Sequence, residues 1–194
     1  LQDKGVLANC HVNVLQTQDH PQFKTYAEEL KWLTTDKTRM KWVANTIKDI
    51  STSGNTLILV DRISAGEILE EQIDDAVFVS GSTKNTDRKE QYDEISTSTN
   101  KVIIATYGVA AVGINIPRIF NLVLIEPGKS FVRVIQSIGR GIRKAEDKDS
   151  VQIWDITSSC KFAKRHLGAR KKFYKEANYP YNIEKINYEN PYTG

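Results

Sequence analysis

The chain reads as a doubly wound α/β domain with a mostly parallel sheet flanked by helices, and three observations lead there. First, five short runs are almost wholly apolar: "TLILV" (56–60), "AVFVS" (76–80), "VIIA" (102–105), "NLVLI" (121–125) and "VQIWD" (151–155). Runs of this length, without polar alternation, suit strands buried on both faces, as in parallel sheets. Second, mixed stretches at roughly 36–52, 62–75, 84–98, 130–144 and 158–177 have helical character and separate or follow those runs. Such strand–helix alternation produces parallel strands with helices packed on both sides. Third, 194 residues, 40% hydrophobic and 26% charged, suffice for one soluble domain with a substantial core.

Ahead of this pattern, "HVNVLQT" is a candidate strand and "HPQFKTYAEELKWL" a candidate short helix. Residues 1–35 are expected as an interdomain linker segment, 36–178 as the domain proper, and 179–194 as an extended tail with one edge strand at 182–188. The chain does not begin with Met, which suggests a piece cut from a longer protein. Its longest apolar stretches are strand-sized, and its start lacks the pattern of a signal peptide, so a cytoplasmic protein with no membrane partner is expected. Cys10 and Cys160 lie far apart and, with three scattered histidines, form neither a metal signature nor a disulfide framework.

The net charge of +3 conceals an uneven distribution. From Ser158 to Ala177 there are seven Lys or Arg against one acid, Glu176, so this window carries +6 and the remainder of the chain −3. On a helical wheel Lys161, Lys164, Arg165, Lys171, Lys172 and Lys175 fall within roughly 120°. Phe162, His166, Ala169 and Phe173 form an apolar stripe, widened by Leu167 and Tyr174. Such a helix docks by its apolar side and offers a basic strip to phosphates; a solvated lysine face is the alternative. Arg170 falls among the apolar residues and needs a partner or a route to water.

In open parallel sheets, ligands gather at the carboxyl ends of the strands. Here those ends read Asp61-Arg62, Ser80-Gly81-Ser82, Thr106-Tyr107-Gly108, Glu126-Pro127-Gly128 and Asp155. Hydroxyls, glycines and an arginine suit phosphate binding, although small polar residues also simply make turns. The stretch "QSIGRGIRK" (136–144) is more pointed. With Ser130 as N-cap, Gln136, Arg140 and Arg143 share a helix face within roughly 60°, opposite Val134, Ile135, Ile138 and Ile142. Two glycines beside those arginines leave the backbone bare for a close approach; a solvated arginine face is the bland alternative.

"QSIGRGIR" fits Q-x-x-G-R-x-x-R and follows "ATYGVAAVGINIP" by a strand and a turn. Together these resemble motifs VI and V of the superfamily 2 helicases and translocases. "TLILVDRISAGEIL" is similar to their motif IV, and "FVSGSTKNTDRKEQ" to the strand end that follows it. The resemblance spans residues 36–157 in order, and within the superfamily it is strongest to the phage UvsW-type recombination and fork-remodelling DNA helicases.

The resemblance implies a RecA-like fold, the second of two motor lobes, with ATP and Mg²⁺ held between the lobes and the Mg²⁺ ligands on the other lobe. It implies that Arg143 is the arginine finger, that Arg140 also faces the γ-phosphate, and that Gln136 senses it or positions water. Gly113 and Asn115 of motif V would reach the nucleotide, although many relatives have Asp where Asn115 stands, and Asn115 also suits a turn before Pro117. Arg62, Gly81, Ser82, Thr106 and Tyr107 would line the nucleic acid track, Tyr107 by stacking on a base or else as packing. The implied partners are branched DNA (forks, Holliday junctions, displacement or R-loops), with RNA–DNA hybrids allowed, and the amino-terminal RecA-like lobe. A monomer acting in recombination, repair and replication is expected.

No G-x-x-x-x-G-K-[ST] and no strand-borne D-E-x-[DH] occurs, so this chain alone is expected to lack ATP hydrolysis. A stand-alone nucleic-acid-binding module without catalysis is the alternative. A Rossmann enzyme fails for want of G-x-G-x-x-G after a first strand.

Overall fold

A computed structural model describes residues 10–79, 100–111, 119–128, 131, 134–136 and 151–188. The elements are β1 (Cys10–Thr17), α1 (Tyr26–Thr35), α2 (Lys37–Ser51), β2 (Thr56–Val60), α3 (Ile63–Gln72), β3 (Val77–Val79), β4 (Val102–Thr106), α4 (Tyr107–Ala111), β5 (Asn121–Ile125), β6 (Val151–Ser158), α5 (Lys161–Glu176) and β7 (Tyr181–Ile186). Seven strands form one sheet in the order β3-β4-β2-β5-β6-β1-β7, and every pairing is parallel. This is the doubly wound parallel sheet expected, with cores on both of its faces. The helix expected at 84–98 lies outside the described residues, as does most of that at 130–144.

Three of the five apolar runs are strands for the reason their sequence suggests, those of β2, β4 and β5; β3, at the sheet edge, is mostly half-buried, and β6 opens with alternating buried and half-buried residues. All five residues of β2 and of β5 are buried. Alternate side chains enter two cores. Leu57, Leu59, Leu122 and Leu124 join Phe131, Val134, Leu167 and Tyr174 on one side of the sheet. Ile58, Val60, Val123 and Ile125 join Met40, Val43, Ile47 and Leu69 on the other. A side-chain period of two, with helices on both faces, leaves the central strands no polar side.

Residues 10–35 do more than lead into the domain. β1 lies between β6 and β7 and is hydrogen-bonded to both, and Val12 and Val14 are fully buried. α1 is capped by Thr25, whose hydroxyl accepts from the Glu28 amide at 3.2 Å. Its Glu29 then reaches across to α5. The two carboxylate oxygens accept from the Phe162 amide at 2.9 Å and the Ala163 amide at 2.8 Å. Cys160, the N-cap residue of α5, makes no side-chain capping bond, so the cap comes from another helix. An acid there satisfies orphan amides and complements the helix dipole. In the tail, β7 is the edge strand, close to the segment expected.

The apolar stripe assigned to α5 needs a correction. Its buried residues are Ala163, His166, Leu167, Arg170 and Tyr174, whereas Ala169 is exposed and Phe162 and Phe173 are half-buried. His166, Leu167 and Tyr174 are buried as expected, but the buried face as a whole is rotated by roughly 50–60° from the apolar face read off hydrophobicity. The cause is Arg170. Its Nε donates to Asp155 Oδ2 at 2.8 Å and its Nη2 to Oδ1 at 2.9 Å, while the Tyr174 hydroxyl donates to Oδ2 at 2.7 Å. Both charged side chains are almost fully buried, so this cation sits at the centre of the packed face. Burial alone would lower the Arg170 pKa, but the Asp155 carboxylate outweighs it and raises it. Burial and the same carboxylate push Tyr174 well above its ordinary value.

Removing one partner of a buried, bidentate pair leaves an uncompensated charge and costs about 3–5 kcal/mol. Arg170→Met should therefore destabilise the chain by about that amount in urea unfolding. The double variant Asp155→Leu/Arg170→Met should recover much of the loss, since no charge is left stranded.

Candidate functional site

The carboxyl ends of β4, β2 and β5, three neighbouring strands, meet the amino-terminal half of α5 on one surface. Asp61 and Arg62 follow β2. Arg62 is the N-cap residue of α3, with no side-chain capping bond. Its Nε lies 3.5 Å from the Asp61 carboxylate and makes no hydrogen bond among the described residues. The side chain is one-third exposed, so donors remain for an incoming anion.

Thr106 ends β4, and its hydroxyl accepts from the Val109 amide at 3.3 Å, capping the short α4. Tyr107 directs its hydroxyl inward, donating to the Ile125 carbonyl at 2.9 Å, and its ring packs against the core. Burial first, then the Asp155 charge, raises its pKa well above the ordinary value. This geometry favours packing for Tyr107 over a free stacking platform.

β5 ends at Ile125, and Glu126 follows it where the chain turns toward Phe131. Glu126 and Gly128 both have positive φ, 45° and 67°. For a glutamate this backbone is costly, and the side chain and amide compensate. The amide donates to the Ile156 carbonyl at 3.0 Å. The carboxylate accepts from Arg39 Nη2 at 2.6 Å and from the Thr157 hydroxyl at 3.3 Å. Arg39 also donates to the Thr17 hydroxyl and to the Leu33 and Thr157 carbonyls. Asp19, 3.6 Å from Arg39, accepts from the Thr17, Ser158 and Tyr188 hydroxyls. One polar network thus ties β1, α2, β5 and β6 together where they reach the functional surface. Asp19, Glu29, Arg39, Glu126 and Asp155 carry the site's support, and sequence reading singled out none of them for it. The one usable signal was Arg170, a cation on an apolar face.

Beyond the turn, Phe131, Val134 and Ile135 are buried and Gln136 is half-exposed, the phase expected for the arginine helix. Phe131 meets α5 directly, with ring centroids 5.2 Å from Phe173 and 5.7 Å from Tyr174. Arg140, Arg143, Gly113, Asn115, Gly81 and Ser82 lie outside the described residues. On α5, Lys161, Lys164, Arg165, Lys172 and Lys175 are exposed and Lys171 is half-buried. The corrected buried face lies almost opposite this strip, so the six cations turn outward while Arg170 stays neutralised within. Burial raises the thiol pKa of Cys10 to about 12 and of Cys160 to about 11, leaving little thiolate at neutral pH. Among the described residues no cluster of His, Cys, Asp or Glu could hold a metal ion, and no helix is long and apolar enough to cross a membrane.

Residues 38–145, more than half of the chain, match the helicase conserved C-terminal domain. The chain belongs to this family. It is the carboxy-terminal lobe of a superfamily 2 helicase. The ATP-dependent DNA helicase UvsW of Enterobacteria phage T4 is 29% identical over 180 residues, which is 85% of this chain and 36% of UvsW. A putative helicase of a Sulfolobus islandicus filamentous virus is 34% identical over 104 residues, 52% of this chain and 18% of its own length. This helicase domain therefore spans about a third or less of the curated relatives it matches. The crystal structure of T4 UvsW superposes with a TM-score of 0.80 at 23% identity, covering 92% of this chain and 42% of that one. The Escherichia coli DEAD-box protein SrmB superposes with a TM-score of 0.62 at 17% identity over 92% of both chains.

Burial raises the Glu126 carboxyl from 4.5 to about 7, against the opposing charge of Arg39. The folded helicase domain then binds a proton that the unfolded chain releases, so stability falls as pH rises from about 4.5 to about 7. Glu126→Gln should flatten that slope, which amounts to at most about 3 kcal/mol. Denaturant unfolding of both proteins across this window tests it.

Proposed function

We propose that this domain is the carboxy-terminal motor lobe of an ATP-dependent DNA helicase that remodels branched DNA, acting with an amino-terminal RecA-like lobe. The observation that carries this reading is the outward basic strip of α5 beside strand ends bearing Arg62 and Thr106, in a chain related to UvsW. Its charge is concentrated where no fold requirement places it. A strip of side chains contacts phosphates without reading sequence, as a motor moving along a strand needs.

Gln136 faces away from the core, and the helical period of the sequence puts Arg140 and Arg143 on the same face. In this reading Arg143 places a guanidinium where negative charge develops on the γ-phosphate, Arg140 supports it, and Gln136 positions water. Gly113 and Asn115 contact the nucleotide. Opening and closing of the cleft between the lobes then moves the strand.

Two measurements test this. Joined to a lobe that carries a phosphate-binding loop, Arg143→Ala should lower kcat for ATP by about 10³- to 10⁵-fold with Tm nearly unchanged. Arg143→Lys should fail as well, because an ammonium lacks the planar fork. A fall in Tm with turnover retained would make Arg143 structural. Separately, Lys164, Arg165, Lys171 and Lys172 changed together to Gln should shallow the slope of log K against log salt by roughly two to four units on duplex DNA. An unchanged slope in that folded variant would leave α5 a solvated face.

A further inference from the structure

Beside the strand ends the surface opens into a cleft of about 470 Å³. That is within the size range of small-molecule pockets. Its lining is more aromatic than an exposed surface needs. Tyr26, the first residue of α1, is 38% exposed. Its ring centroid lies 6.2 Å from Phe162, the second residue of α5, and 4.8 Å from His166 in an edge-on arrangement. The Arg165 guanidinium lies over the Phe162 ring at 5.6 Å. Asp61 and Tyr107 also line the cleft. Rings with a guanidinium alongside form a surface on which a flat, electron-rich heterocycle stacks.

The position of the cleft identifies the heterocycle. Asp61 adjoins Arg62 and Tyr107 adjoins Thr106, the two described strand-end residues proposed to hold phosphates. Arg165 belongs to the basic strip of α5. The cleft therefore lies between the two sets of proposed phosphate contacts. A nucleotide whose phosphate rests on either set has the aromatic cluster as its neighbour. We infer that the cleft receives one unstacked base of a bound nucleic acid strand, held against Tyr26 and Phe162 with Arg165 alongside. The inference rests on the nucleic-acid reading above and adds a base contact to what is otherwise backbone binding. Stacking of this kind tolerates any base, because every base has a π-face. It would hold the strand at one register while phosphate contacts are exchanged.

An abasic walk tests it, with short single-stranded DNA carrying one abasic site at each position in turn and the 194-residue chain as binder. On the unsubstituted protein, one position should be sensitive, with affinity falling about tenfold when its base is missing. Tyr26→Ala and Phe162→Ala should each weaken binding of intact DNA by a similar factor, abolish the position dependence and leave the salt slope unchanged. Tyr26→Phe should retain full binding, and unchanged circular dichroism would confirm folding. The Lys164, Arg165, Lys171 and Lys172 to Gln variant should shallow the salt slope. A flat abasic walk, with the salt slope still dependent on α5, would overturn the base cleft and leave the nucleic-acid reading standing. Absence of salt-dependent binding altogether would overturn both.

Discussion

The carboxylate of Asp155 is the anchor of the functional surface. It sits on β6 with no exposure and receives both a guanidinium fork and a phenol from α5. A buried acid of this kind tolerates only a fully bonded arrangement, since an unpaired charge or an unfilled lone pair in the interior costs several kcal/mol. Arg170 and Tyr174 must therefore point at the sheet, and a helix has only one rotation that allows it. That rotation turns Lys161, Lys164, Arg165, Lys172 and Lys175 to solvent as a strip. It also sets Phe173 and Tyr174 under Phe131, where the arginine helix begins. The helix proposed to offer phosphate contacts thus packs against Phe131, in the segment that leads to the arginine pattern.

A second polar network holds the strand ends. Arg39 and Glu126 are both buried, and Thr17, Thr157 and Asp19 complete their hydrogen bonding. Such a network is favourable only when every member is satisfied, which makes its geometry strict. Its consequence is local. The turn from β5 toward the arginine helix carries two left-handed residues, Glu126 and Gly128, and the first is held there by its own side chain. The cap that Glu29 supplies to α5 follows the same logic. A carboxylate from a segment expected only to link domains completes the helix that carries most of the positive charge.

The division between cations used inside and cations offered outside is what makes the surface readable. Arg170 and Arg39 neutralise buried acids and have nothing left for a ligand. Arg62 meets the exposed Asp61 carboxylate, the α5 strip has no buried acid as a partner among the described residues, and Arg165 of that strip lines the aromatic cleft. Charge counted along the chain does not distinguish the two kinds. Burial and pairing do.

Hydrophobic pattern alone determined the sheet. "TLILV", "VIIA" and "NLVLI" could only be buried strands, because no polar face exists in them, and their spacing required helical crossovers and hence parallel pairing. The charge cluster at 158–177 was equally legible, being local in sequence, whereas the arginine pattern at 136–144 lies, beyond Gln136, outside the described residues. The rotation of α5, the capping of its first turn by Glu29, and the positions of Arg39, Glu126 and Asp155 were decided by tertiary structure. Each depends on a polar side chain meeting a partner far away in the chain, as Glu29 meets Phe162 and Arg39 meets Glu126. A residue's hydrophobicity says whether burial is favourable on its own. It does not say which distant charge will make burial favourable, and at Arg170 that distant charge determined the face of the helix.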